Sequence, residues 1–163
     1  MVTDTPQHQG LTIGGPGFLG HEIVAPADGA VVFLNYNERR GNHVKIRHGS
    51  DSTKRSIYTE HYHVHGRWIK EGDRVERGQT IGSIGVGNRE GTDLPHYHYI
   101  VIAEESPGKA VALQLADYWL GIDQYREKLE KDPGAEPFVI PCFDPRANYP
   151  REPIRFTYPV RCK

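Results

Sequence analysis

Five of the nine histidines in this 163-residue chain fall into two alternating runs, His61-Tyr62-His63-Val64-His65 and His96-Tyr97-His98. On a strand, residues two apart share a face, so each run would present its imidazoles on one side of a sheet. Imidazole is the commonest metal ligand and titrates near neutrality without help from its surroundings. Two such strands facing one groove would supply both metal ligands and a general acid or base. A lone His-x-His pair reads as a solvated strand face. Two runs separated by a glycine-bounded turn favour a site. The chain has only two cysteines, Cys142 and Cys162, which excludes a four-thiolate zinc site.

The elements that must position these residues are mainly strands. Residues 1–20 are glycine-rich and read as loop. Ala30-Val31-Val32-Phe33-Leu34 reads as a buried strand and His43-Val44-Lys45-Ile46-Arg47 as a half-exposed one, joined through a turn at Asn35–Gly41. Ser56–Val64 returns to strand character. Glu71–Gly82 carries two glycine-bounded turns around Val75 and predicts a hairpin. Pro95–Ile102 is the strongest strand signal, with Tyr97 and Tyr99 alternating away from the histidines into the core. Apolar spacing predicts one or two helices over Ala110–Lys131, with a break at Gly121 and an end at Asp132-Pro133-Gly134. The last 30 residues are proline-rich and read as an extended strap, with Phe156-Thr157-Tyr158 an edge strand. Trp68, Tyr118 and Trp119 read as core.

Composition narrows the function. Apolar residues make up 37% and charged residues 25%, with 18 Gly and 12 Pro, which suits a turn-rich β globule. The net charge of −1 provides no basic field for nucleic acid. No apolar run approaches the ~20 residues of a membrane-spanning helix. Cys142 and Cys162 read either as buried thiols or, preferably in so irregular a tail, as a disulfide worth roughly 3 kcal/mol. A disulfide would imply an exported protein, although the first residues show no signal peptide.

Three stretches carry a family resemblance. Ala25-Pro26-Ala27-Asp28-Gly29-Ala30-Val31-Val32 resembles the opening strand of the lysostaphin-type (LytM-domain) zinc endopeptidases. Gly72-Asp73-Arg74-Val75 with Gly78-Gln79-Thr80-Ile81-Gly82 resembles their G-D-x-V-x-x-G-Q-x-I-G segment, and Pro95-His96-Tyr97-His98-Tyr99 their P-H-L-H-F strand. Lipoyl and biotinyl carrier domains share the glycine segment alone, but no Met-Lys or Asp-Lys tip is present here. The resemblance covers about residues 8–102. It implies a mainly β fold with an antiparallel groove and a lipoyl-hybrid-like core, residues 1–106. A helix and Pro-rich extension, residues 107–163, pack on it. It also implies one Zn²⁺ and cleavage of short peptides such as peptidoglycan cross-links. In that family an H-x-x-x-D motif and the second histidine of H-x-H hold the metal. These map onto His8, Thr12 and His98. The first histidine of H-x-H, here His96, assists catalysis with a further histidine from the Tyr58 strand.

Two departures from the pattern stand out. Thr12 occupies the aspartate position, and a neutral hydroxyl holds a dication poorly. The site then binds metal weakly, or another carboxylate (Glu22, Glu60 or Asp93) or His21 substitutes. Otherwise the domain is a degenerate, inactive relative that binds wall peptides or activates a partner hydrolase. On the Tyr58 strand, strict spacing selects Glu60, a one-residue bulge selects His61, and counting back from Gly72 selects His63. The ranking is His61, His63, His65, all expected on one face.

Overall fold

The computed structural model describes residues 10–36, 41–66, 68–86 and 94–163. Nine strands and one α-helix are found among them. The strands are β1 (Leu11–Gly14), β2 (Glu22–Val24), β3 (Gly29–Asn35), β4 (Asn42–Ser50), β5 (Ser56–His65), β6 (Arg74–Val75), β7 (Thr80–Ile84), β8 (His96–Glu104) and β9 (Ala110–Ala112), and the helix is α1 (Ile122–Lys131). All named strand pairs are antiparallel, in the order β1-β8-β5-β4-β3-β6, with β2 paired to β7, β7 also to β5, and β9 to β8.

Alternation builds the sheet's two faces. On β4, Val44 and Ile46 point inward; on β8, Tyr97, Tyr99 and Val101 do, while His96, His98 and Ile100 face the other way. The core gathers these with Ile23, Val31, Ile57, Val64, Ile81 and Ile84, all essentially excluded from solvent. Each such aliphatic side chain contributes roughly 1.5–3 kcal/mol of transfer free energy.

Four local expectations change. Part of the glycine-rich start is strand: β1 runs along β8, pairing Thr12 with His98 and Gly14 with His96. Gly14 permits the approach, because a Cβ there would stand 2.5 Å from the Pro95 carbonyl oxygen. The Glu71–Gly82 segment is not a closed hairpin. Its strands diverge after a turn at Glu76–Gln79, β6 joining β3 and β7 joining β2. The helical pattern over Ala110–Lys131 yields β9, a 3₁₀ turn at Leu115–Tyr118, and helix only from Ile122. Gly121, at φ 81°, starts α1. Trp68 is 54% exposed rather than core, whereas Trp119 is buried and Tyr118 packs partly buried against the core.

The strap returns to the sheet. Phe156 is fully buried and bridges to Trp119, so Phe156-Thr157-Tyr158 contributes one isolated bridge instead of an edge strand, and further on Val160 bridges to Ile23. A disulfide joins Cys142 to Cys162.

Candidate metal centre

The register of β4 against β5 places the second histidine run. Val44 faces His61 and Asn42 faces Val64, so two steps on β4 oppose three on β5. That extra residue is a β-bulge, and His63 sits in it at φ 62°. Before the bulge Ile57, Thr59 and His61 point inward; after it Val64 does. The expectation that His61, His63 and His65 share a face is therefore corrected. His61 is fully buried on the core side, and His63 turns to the face that carries His96 and His98.

The three rings of His63, His96 and His98 converge. Centroids lie 4.4 Å apart for His63 and His96, 5.2 Å for His63 and His98, and 5.3 Å for His96 and His98. One nitrogen from each lies within 4.8 Å of the others, and all three residues are half-buried. Among the described residues no carboxylate joins this group. Glu22 pairs with Arg161 and Thr80, and Glu60 accepts a hydrogen bond from the Tyr62 hydroxyl at 2.5 Å, so neither substitutes for the missing aspartate. Its contacts with His43 and Tyr62 hold the Glu60 carboxyl below the usual carboxylate range. His21 packs its ring on Phe18, away from the cluster. His8 and Asp93 lie outside the described residues.

Hydrogen bonds orient the cluster. His96 Nδ1 lies 3.0 Å from the Leu94 carbonyl, which can only accept, so Nδ1 carries a proton and Nε2 is the nitrogen left for other contacts. His98 Nδ1 lies 2.8 Å from Thr12 Oγ1, a hydroxyl that serves as donor or acceptor. Thr12 thus stands beside the cluster but adds no negative charge. Burial first and the neighbouring His96 second hold the His65 pKa down.

Behind the cluster runs a buried polar chain that the sequence reading missed. His48 Nδ1 is 2.8 Å from the Asp28 carbonyl and its Nε2 is 2.7 Å from Thr59 Oγ1. Thr59 Oγ1 is 2.8 Å from His61 Nε2, and His61 Nδ1 is 2.7 Å from the Tyr97 hydroxyl. The carbonyl end fixes every proton. His48 donates to Asp28, Thr59 to His48, His61 to Thr59, and Tyr97 to His61. Both imidazoles are neutral, in agreement with burial pressing His48 down to about 4 and His61 well below its ordinary value. Burial also raises the Tyr97 hydroxyl well above its ordinary value, so it keeps its proton. His61 is thereby a satisfied core group with no nitrogen left for substrate, which corrects its first-ranked catalytic assignment.

The signature of peptidase family M23 matches residues 6–111. The chain belongs to peptidase family M23. Among its M23-type relatives, the peptidoglycan DD-endopeptidase ShyC of Vibrio cholerae is 32% identical over 130 residues, 76% of this chain and 28% of the relative. ShyA of the same organism, also named a peptidoglycan DD-endopeptidase, is 32% identical over 104 residues, 64% of this chain and 22% of that one. This M23 chain therefore spans less than a third of the curated relatives it matches. Among solved structures it is similar to the catalytic domain of lysostaphin from Staphylococcus simulans, with TM-score 0.47 and 21% identity over 64% of this chain and 74% of that one.

Proposed function

We propose that this M23 chain is a zinc-dependent endopeptidase that cuts short peptide cross-links of peptidoglycan. The convergence of His63, His96 and His98 from two strands carries the reading. Imidazole nitrogens suit a borderline-soft cation, and among the described residues no carboxylate joins the group. His98 would hold the ion, with Thr12 at its Nδ1 and with His8, the histidine of the H-x-x-x-D motif, as a second ligand. Zinc bound this way supplies a Lewis acid and a water acidic enough to lose its proton near neutral pH. The chain's own groups supply the rest. His96, its Nδ1 fixed on Leu94, offers Nε2 as a base for a water proton and returns that proton to the leaving amine. His63, held against His96 by the bulge, offers a donor to the oxygen of the carbonyl under attack.

The relatives' names support the peptidoglycan substrate, and such a substrate supports a location outside the cytoplasm. The disulfide fits an oxidising compartment. Residues 1–106 form the peptidase core in this reading, and residues 107–163 an extension packed on it.

The test uses the full chain purified without chelator. One zinc per chain by elemental mass spectrometry, with release of peptide fragments from purified wall sacculi, is the expected result. The His98→Ala variant should lose both. A chain that neither holds zinc nor releases fragments with zinc added defeats the proposal. It would favour the second reading, a wall-peptide binder or activator of a partner hydrolase, which Thr12 in the aspartate position motivates.

A further inference from the structure

A cavity of about 790 Å³ lies between the turns of the sheet and the strap, and it shares no lining residue with the imidazole cluster. Five arginines line it: Arg47, Arg74 and Arg77 from the sheet side, and Arg151 and Arg155 from the strap. Among the described residues only two carboxylates, Asp28 and Glu76, do so. Arg155 is matched from outside by Asp123, at 2.9 Å. The other four guanidinium groups therefore outnumber the lining carboxylates by two, in a chain whose net charge is −1. We propose that this cavity is a binding site for an anionic segment bearing at least two phosphate or carboxylate groups.

The arginines differ in how firmly they are committed. Arg77 is fixed: one terminal nitrogen donates to the Pro26 carbonyl at 2.5 Å, the other to the Arg155 carbonyl at 2.9 Å, and its plane lies 4.5 Å over the Tyr149 ring. Arg47 reaches only hydroxyls, those of Ser50 and Ser56. Arg74 and Arg151 are exposed and make no ion pair among the described residues. A guanidinium presents a planar fork that matches carboxylate and phosphate oxygens two at a time, and forks from opposite walls recognise separate anionic groups. The cavity's size falls within the range of small-molecule sites and exceeds what one phosphate fills. Because both walls contribute, the ligand would clamp the strap to the sheet.

The test is titration of the full chain with pyrophosphate and, separately, tricarballylate, followed by calorimetry and by thermal unfolding. The two probes distinguish phosphate from carboxylate as the recognised group. Saturable binding of at least one probe is expected, with a rise in unfolding temperature. The Arg74→Gln/Arg151→Gln double variant should bind at least tenfold more weakly, with a shallower dependence on salt. The His98→Ala variant should bind as the parent does, which separates this site from a metal-bound anion. No saturable binding of either probe overturns the proposal. So does binding that survives the double arginine change, or that disappears with His98.

Discussion

The ring of His63 lies 4.4 Å from the ring of His96, although the two side chains come from different strands and His63 needs a φ of 62° to reach it. Histidine is one of the few non-glycine residues enriched in this left-handed region, and the conformation costs on the order of 1–3 kcal/mol. The bulge turns what would be a core-side imidazole in strict alternation into a neighbour of His96 and His98. This makes a two-way prediction. His63→Ala should reduce fragment release from sacculi by a factor on the order of 10² to 10⁴ while changing stability by less than about 1 kcal/mol. His61→Ala should lower unfolding free energy by roughly 3 kcal/mol, because it leaves a core void, orphans the Tyr97 hydroxyl and removes the donor to Thr59, which keeps its bond to His48. Urea unfolding and turnover measured on both variants check it. Equal stability losses would show that the bulge does not separate the two roles.

Thr12 is hydrogen-bonded to His98 at 2.8 Å, so under the proposed function a side chain at this position would act on an ion held by that ring. A carboxylate here would add an anion to a set of neutral nitrogens. Thr12→Asp should tighten zinc binding by tenfold or more, and Thr12→Val should weaken it by removing the partner of His98 Nδ1, each by an outer- or inner-shell effect of that order. Competition against a chelator of known affinity measures both. Unchanged affinity in Thr12→Asp would mean that His98 is not a ligand.

Much of this was legible in the sequence. The Pro95–Ile102 strand, with Tyr97 and Tyr99 inward and His96 and His98 outward, follows from period two alone. The bulge was legible only in part. Ile57 and Val64 are an odd number of residues apart and both are core, which strict alternation forbids, so an inserted residue is needed between them. Counting back from Gly72 to His63 carried that information, whereas reading forward from Tyr58 to His61 did not. The directional chain from Asp28 to Tyr97 was not legible, because it joins residues whose pairing is set by sheet register. β1 escaped for another reason: its glycines, which mark loop locally, are what allow close approach to β8.

The buried His48 makes stability depend on pH in a defined direction. Its pKa is about 4 in the folded chain, chiefly through burial, against 6.5 when exposed. The unfolded chain therefore binds more protons between these values, and stability falls as pH drops from about 6.5 to about 4. His61, shifted in the same sense, adds to the fall. The size for His48 is at most about 3 kcal/mol, less because the cavity leaves part of the ring within reach of water. Urea midpoints measured across that interval should drop steadily towards acid, and His48→Gln should flatten the slope. A midpoint that rises towards acid would contradict neutral imidazoles in the chain.

The Cys142–Cys162 disulfide ties the end of the strap to its middle, across a sequence separation of 20. Closing a loop of this length removes freedom chiefly from the unfolded chain and is worth roughly 3 kcal/mol. The strap also has packing of its own, since Phe156 and Val160 are buried in the sheet's core. These two contributions act on different states and should be separable. Reduction, or the Cys142→Ser/Cys162→Ser double variant, should lower unfolding free energy by about 2–3 kcal/mol and leave the strap docked, so that Phe156 remains protected. Hydrogen exchange at Phe156 N–H, which donates to the Tyr118 carbonyl at 2.7 Å, reports on docking independently of global stability. Fast exchange there in the reduced chain under native conditions would mean that the covalent link, not the buried aromatic, holds the strap on the sheet.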